Sequence, residues 1–409
     1  MRDYFIGMDI GSESVKVAIG RVSDEGKLML SEMFKMATSG VRRGVVHEFS
    51  DAVHSLSFVF NEISKFSKTA KKNIFLGVNG GDIQVRPSIG VVAVSRADYE
   101  IFEDDVNRAV QSSQAINLPS NRMILHSIIN EYIVDGISGI KDPLGMMGNR
   151  LEVKSVIIDA FSPAVTSMVK AIETLGGDIS GIILGPIASA RAVLSKNQKE
   201  LGVALLDIGF GKTNFCVYEE GKLIHAAVVP LGSGNITNDL AIGLKVPPVI
   251  AESIKLNYGS AIQKLVGARE SVDLEKVDSR ISGSVTKRFI AGIIEARLAE
   301  IMEFVNNELK RIGKLANLPA GVIVVGGGAK LPKMVDLIRQ EMNLSCDVGV
   351  ASYSEFEIEN PSLVEKIEDP EYVGALGLLI SGYEKNFESK PKFSNTKSFF
   401  KKIFKVFLP

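Results

Sequence analysis

Residues 203–218 read VALLDIGFGKTNFCVY, and residues 4–19 read YFIGMDIGSESVKVAI. The two stretches share a plan: an apolar strand ends in Asp-Ile-Gly, a short polar turn follows, and a second strand runs back. The first strand delivers a carboxylate, Asp9 or Asp207, and Gly11 or Gly209 permits the sharp reversal. Ser12, Ser14 and Lys16 follow in the first copy, and Gly211, Lys212, Thr213 and Asn214 in the second. They offer backbone N–H groups, hydroxyls and ammonium groups. One such hairpin says little, because Asp and Gly are ordinary turn residues. Two copies about 200 residues apart mark an internal repeat and a two-lobed molecule. Facing each other, the hairpins would form a concave donor surface for a polyphosphate. Bare carboxylates there would repel phosphate, so a divalent cation is expected between Asp9 and Asp207. Mg²⁺, which keeps part of its water shell, suits oxygen-only surroundings.

A third glycine turn strengthens this reading. In GVIVVGGGAKLPKM (321–334) a buried strand feeds Gly326, Gly327 and Gly328 and then a predicted helix, whose N-terminus would add positive potential. The stretch has neither the Gly-Lys-Ser/Thr of a Walker A loop nor the spacing of a dinucleotide-binding fingerprint.

The elements around these turns are mixed α/β. The first lobe reads β-β-β-α-β. Its helix carries Val53, Leu56, Val59, Phe60 and Ile63 on one face, with Ser50 and Asp51 as expected caps. From about 84 to 159 the pattern changes to a strand, an acidic helix over 95–113, and two strands around the Gly- and Pro-rich GIKDPLGMMGN. This reads as a small inserted unit. Ser162 and Pro163 then predict a helix start, with Ser162 as N-cap. Residues 246–320 are mainly helical, and a last helix is expected near 372–386.

Net charge is −1, which argues against nucleic acid as a principal partner. From Ser389 onward, however, there are six lysines and no acid. Cys216 and Cys346 have no metal-ligand spacing, and Cys216, inside NFCVY, reads as a buried thiol. Reduced cysteines and no recognisable signal peptide point to the cytosol. No window reaches the ~18 apolar residues of a membrane span.

The paired hairpins and the glycine turn resemble the actin-like ATPase superfamily, and the chain throughout resembles the FtsA family of bacterial cell-division proteins. The carrying stretches are DIGSESVKVAIG, LLDIGFGKTNFCVY, GIKDPLGMMGNRLEV, LGPIASARAVL and IIEARLAEIMEFVNNEL. The resemblance implies ATP and Mg²⁺ in a cleft between two lobes, with Glu252 and Lys255, at i, i+3 in AESIKLNYGSA, near the ribose and base. It implies subdomain 1A over 1–84, 160–198 and 373–388, and an inserted subdomain 1C over 85–159. Subdomain 2A would cover 199–245 and 320–372, and 2B 246–319. It further implies filaments of the chain with itself on the cytoplasmic face of the membrane at the septum. FtsZ's C-terminal peptide would be tethered through Arg297, with Arg288 and Lys287 nearby, and later division proteins recruited through 1C. Ser233 departs from the family, which commonly has a second glycine there. No residue stands out as a catalytic base, so nucleotide reads as a structural and polymerisation ligand.

The chain ends in a polar linker (389–397) and SFFKKIFKVFLP (398–409). At 100° per residue, Phe399, Phe400, Ile403, Phe404 and Phe407 share one face. Lys401, Lys402 and Lys405 lie opposite, with Val406 and Leu408 at the borders. That is the pattern of a helix lying in an anionic membrane surface. Docking on the protein's own core or in a partner's groove are the alternatives. Two other functions share the fold: a pilus-assembly adaptor of the PilM type, which normally lacks such a tail, and a small-molecule kinase, which needs a catalytic carboxylate and a substrate pocket.

Overall fold

The computed structural model describes residues 4–385 apart from 68 and 81; the linker and the terminal amphipathic segment lie outside the described residues. The first hairpin is β1 (Tyr4–Ile10) and β2 (Ser14–Val22), continued by β3 (Leu28–Ala37). A miniature pair, β4 (Val41–Arg42) and β5 (Val45–Val46), leads into α1 (Phe49–Phe66) and β6 (Ile74–Val78). Helix α1 buries Leu56, Val59, Phe60 and Ile63, the face expected from their spacing. Its cap differs from expectation. Glu48 is the N-cap and makes no side-chain cap bond, while Ser50 and Asp51 fall within the first turn. The helix starts early because the Ala52 N–H already donates to the Glu48 carbonyl at 3.0 Å.

The inserted unit is β7 (Gln84–Ala93), α2 (Glu103–Gln114), β8 (Arg122–Val134), β9 (Ile137–Ile140) and β10 (Arg150–Phe161), in an antiparallel sheet of order β7-β10-β8-β9. The acidic helix expected from residue 95 begins only at Glu103. Tyr99 takes a left-handed φ of 56°, Glu100 bridges to Met147, and the Asp105 carboxylate accepts the Phe102 N–H to start the helix. The unit is fastened at its root. Asp159, fully buried at the end of β10, accepts from Arg86 (2.8 Å) and Arg122, and Arg122 also reaches Asp82 (2.8 Å). Removing one partner of such a pair typically costs ~3–5 kcal/mol, so this joint is stiff.

Four elements connect the lobes: α3 (Ser162–Thr174), β11 (Ile179–Leu184), α4 (Gly185–Val193) and α5 (Lys196–Leu201). Phe161, not Ser162, is the N-cap of α3, and Ser162 and Pro163 occupy its first turn. The second lobe opens with β12 (Val203–Ile208), β13 (Thr213–Glu219) and β14 (Lys222–Val229), then α6 (Ser233–Leu244) and α7 (Pro248–Tyr258). It continues through β15 (Ser271–Asp273), β16 (Ser284–Thr286) and the long α8 (Lys287–Arg311). Next come β17 (Val322–Val325), α9 (Met334–Met342), β18 (Cys346–Val348), β19 (Glu357–Ile358), α10 (Val364–Glu368) and α11 (Val373–Tyr383).

The repeat read from the sequence is a repeat of topology. One sheet runs β11-β6-β1-β2-β3-β19 and the other β18-β17-β12-β13-β14. In both, the hairpin strands pair antiparallel and the inner strands parallel. Helices α4 and α11 lie within the core cluster that joins the two sheets, with Phe5, Phe75, Leu205, Cys216, Leu376 and Leu379. Each fully buried large side chain there contributes about 1.5–3 kcal/mol. The helices touch backbone to backbone: a Cβ on Gly377 would lie 1.9 Å from the Ala188 carbonyl oxygen. Helix α11 also lies directly on β1, since a Cβ on Gly7 would stand 2.1 Å from the Ala375 carbonyl. With the sheets so joined, the Asp-bearing ends of β1 and β12 open into one cleft.

Candidate functional site

The two hairpins close with the same bond. Gly11 N–H donates to the Ser14 carbonyl at 3.0 Å, and Gly209 N–H to the Lys212 carbonyl at 2.9 Å. Between the turns lies a cleft of about 460 Å³, within the size range of small-molecule sites. Asp9, Gly11, Ser12, Lys16, Asp207, Gly209, Gly211, Lys212, Asn214, Glu252, Lys255, Gly326, Gly327 and Gly328 all line it. Ser14 and Thr213 do not; both are buried, and Thr213 spends its hydroxyl on the Leu231 carbonyl at 2.9 Å. Sequence reasoning missed Lys35, Asn79, Phe210, Lys330 and Glu371 on the walls. Only Asn79, which ends the β6 run in VNGG, had a local signal.

The electrostatics of the cleft are strained. Asp207 is half-buried, and desolvation first, then the charge of Asp9, push its carboxyl up to about 6, against the opposing pull of Lys16, Lys212 and Asn214. Burial likewise brings the Lys212 ammonium down to about 7, partly offset by Asp9 and Asp207. Of the residues lining the cleft, Lys212 Nζ, Ser12 Oγ, Asn79 Oδ1 and Asn214 Oδ1 are buried without a hydrogen-bond partner among the described residues. An unsatisfied buried polar group costs about 1–3 kcal/mol, and four together in one cleft are more than a resting fold ordinarily carries. A polar ligand would satisfy them.

Glycines make room for it. Gly326 has φ 84°, and a Cβ there would stand 2.4 Å from Asp207 Oδ1. The turn leads into a single 3-10 turn (Gly327–Lys330), and α9 begins only at Met334, so the helix N-terminus expected right after the glycines lies further along the chain. A Cβ on Gly232 would meet the Gly209 carbonyl and the Lys212 nitrogen, both at 2.5 Å; this lets α6 sit on the second turn. Ser233 donates its N–H to the Gly209 carbonyl at 2.9 Å and accepts Lys255 Nζ on its own carbonyl at 3.1 Å. Lys255 also meets Glu252 at 2.7 Å and Thr237 Oγ1 at 2.9 Å. The Phe210 ring lies 5.6 Å from the Lys255 ammonium. This polar group and ring could hold a sugar and base, while the two hairpin turns hold phosphates. Among the described residues no cluster of three or more metal-binding side chains occurs. A divalent ion would therefore rest on Asp9 and Asp207 and complete its shell from phosphate and water.

Away from the cleft, α8 carries Arg297, Arg288 and Lys287. Arg297 holds Asp239 through two bonds (2.5 and 2.9 Å) and also Glu300. Lys287 pairs with Glu270 at 2.9 Å, and Arg288 is exposed. Asp239 is thus committed to Arg297. No helix among the described residues is long and apolar enough to cross a membrane.

Known proteins are similar in sequence over nearly this whole length. Cell division protein FtsA of Pseudomonas aeruginosa is 32% identical over 380 residues, 93% of this chain and 89% of the relative. That of Bacillus subtilis is 33% identical over 377 residues, 92% and 83%. This chain belongs to the FtsA family. The family model for cell division protein FtsA matches residues 204–377, and the model for the SHS2 domain inserted in FtsA matches 80–159, the separate sheet described above. FtsA of Escherichia coli is 27% identical over 396 residues, 95% of this chain and 92% of the relative. Solved structures share the actin-like fold. The PilM-PilN type IV pilus biogenesis complex aligns with TM-score 0.65 at 17% identity, covering 93% of this chain and 98% of that chain. MreB5 of Spiroplasma citri bound to AMPPNP aligns with TM-score 0.55 at 14% identity, covering 95% and 99%. The likeness to PilM is thus one of fold, and the pilus-adaptor alternative is not favoured over the cell-division family.

Proposed function

We propose that this cell-division protein binds ATP with Mg²⁺ between its two Asp-Gly hairpins. It assembles into actin-like filaments on the cytoplasmic face of the membrane at the septum, ties FtsZ to that surface, and recruits later division proteins through the inserted unit. The observation that carries the nucleotide part is the set of buried, unpartnered polar atoms of Ser12, Asn79, Lys212 and Asn214, which line one cleft. Bound nucleotide would supply the phosphate oxygens and the charge that this set lacks. Asp9 and Asp207 would hold the cation, Gly326–Gly328 would admit close backbone approach, and Glu252 and Lys255 would flank the sugar. No residue is assigned a hydrolytic role.

Family membership supports the division role, and the terminal segment supports the membrane role. Arg297, Arg288 and Lys287 are the cations proposed for FtsZ's acidic tail, because Arg matches carboxylates bidentately. Arg297 would have to share or exchange Asp239 to do so. Each terminal lysine is worth ~1 kcal/mol near an anionic leaflet, so one short segment binds reversibly and assembly into filaments adds avidity. Co-sedimentation of FtsZ with anionic liposomes tests the tether, using the full chain and a version ending at Lys397. The full chain is expected to carry FtsZ down and the shortened one to leave it in solution. Recruitment by the shortened chain would end the tether reading.

A further inference from the structure

The register of the first sheet lines up three charges. Asp9 on β1 stands opposite Lys16 on β2, and Lys16 stands opposite Lys35 on β3. Residues opposite each other share a face, so all three point into the cleft they line. Two lysines directly opposite repel, and such a pair persists only with a counter-charge. Glu371 supplies it. Its Oε1 is 2.6 Å from Lys35 Nζ and 3.5 Å from Lys16 Nζ, and its Oε2 is 3.5 Å from Lys330 Nζ. Lys330 also meets Asp369 at 2.7 Å. Burial alone would raise the Glu371 carboxyl, but Lys35, Lys16 and Lys330 outweigh it and hold it below its ordinary range. The glutamate is carried by a short turn that is itself pinned: Pro370 accepts the Gly326 N–H at 2.9 Å, and the Glu371 N–H donates to Asp369 Oδ1 at 2.9 Å.

The carboxylate therefore gathers lysines from both lobes, beside the glycines of the third turn: a Cβ on Gly327 would lie 3.8 Å from the Glu371 carboxyl carbon. Lys16, Lys35 and Lys330 thus converge on one carboxylate, and each ammonium has further N–H donors to offer a polyanion. We propose that Lys35 is a further phosphate-binding residue of this cleft, and that Glu371 is an anionic placeholder that keeps Lys16, Lys35 and Lys330 assembled and yields them to an incoming nucleotide. The proposal rests on the nucleotide-binding reading above. The ligand's phosphates compete with Glu371 for the same ammonium groups, so Glu371 lowers affinity and Lys35 raises it, each in proportion to ligand charge. The more phosphates the nucleotide carries, the more it gains from Lys35, which makes the pair a selector for the triphosphate.

Isothermal titration of the full-length chain with ATP, ADP and AMP, with Mg²⁺ present, tests this. Glu371→Gln is expected to tighten ATP about tenfold and Lys35→Gln to weaken it about tenfold, one factor of ten being the effect of a single ~1.4 kcal/mol contact. Both effects should shrink from ATP to ADP to AMP. Lys35→Arg should restore most of the ATP affinity, and Glu371→Asp should bind like the parent. Equal changes for all three ligands would mean a purely structural role and overturn the proposal, as would weaker ATP binding by Glu371→Gln. If the parent binds nucleotide while both variants match it, the proposal falls and the nucleotide reading stands. If the parent binds none of the three, both fall.

Discussion

The two hairpins are equivalent in backbone and unequal in charge. Lys16 pairs across from Asp9, and Asn214 stands at the same register opposite Asp207. Gly77 pairs alongside Asp9 and Val325 alongside Asp207, so Asn79, two residues on, corresponds to Gly327. In the first lobe the Asn79 amide donates to Asp9 Oδ1 at 2.7 Å, and Lys16 is already held by Glu371. In the second, a glycine replaces that amide, the cross-strand partner is neutral, and burial drives the Asp207 carboxyl up to about 6. A repeated fold has thus been made into one half with its own counter-charges and one half left short of them. The deficient half is where a ligand and its cation have most to add.

The largest expected effect on binding comes from closing the second half. In Gly326→Val the Cβ meets Asp207 Oδ1 at 2.4 Å, with a φ of 84° that β-branched residues resist. ATP affinity should fall by about a hundredfold or more, ~2.7 kcal/mol, in a titration with the fold checked by circular dichroism. Retained affinity would mean that this turn does not border the ligand.

Next is Asp207→Asn. The folded carboxyl titrates at about 6, above its ordinary 3.8, so the native state holds a proton that the unfolded chain has already released. Its contribution to stability is complete below about 4 and is lost as pH rises through about 6. The asparagine variant lacks this slope. Denaturant unfolding should therefore find the two proteins equally sensitive in acid and the variant more stable near neutral pH, by up to about 3 kcal/mol at ~1.4 kcal/mol per pKa unit. Mg²⁺-dependent nucleotide binding should weaken in the same variant. A variant no more stable than the parent at neutral pH would show that the second half is not in deficit.

The smallest change copies the second lobe into the first. Asn79→Gly removes the amide held by Asp9 and installs the residue that its counterpart position already has. A lost hydrogen bond to a charged group is worth about 1.5–3 kcal/mol, so the denaturation midpoint should fall accordingly. An unchanged midpoint would mean that the asymmetry between Asp9 and Asp207 lies elsewhere.

Much of this was legible in the sequence because the informative residues are local. Asp-Ile-Gly after an apolar run, repeated, gave both lobes, and VVGGG gave the third wall. Glu252 and Lys255 were visible as an i, i+3 pair, and the structure finds them joined. The residues that escaped are those whose meaning is tertiary. Lys35 is an ordinary strand lysine until the register sets it beside Lys16, and Glu371 is an ordinary turn glutamate until the chain returns to the cleft. Helix starts escaped for a related reason. Ser50, Asp51 and Ser162 have cap chemistry, yet the backbone turns helical just before them, so tertiary placement overrode a local preference. The acidic helix starts later than its sequence suggests because nothing local announces a left-handed Tyr99.

The contact of α11 with β1 has a mechanical consequence. The last described helix bears on the strand that carries Asp9: Gly7 admits the Ala375 carbonyl, and a Cβ on Gly374 would come within 3.0 Å of Asp9 Oδ2. Tension applied to the chain beyond Tyr383 would thus reach α11 first and then, through the close packing at Gly7 and Gly374, the floor of the cleft. That end of the chain and the cleft are in series along one line of force, so a pull on one would be felt as strain in the other.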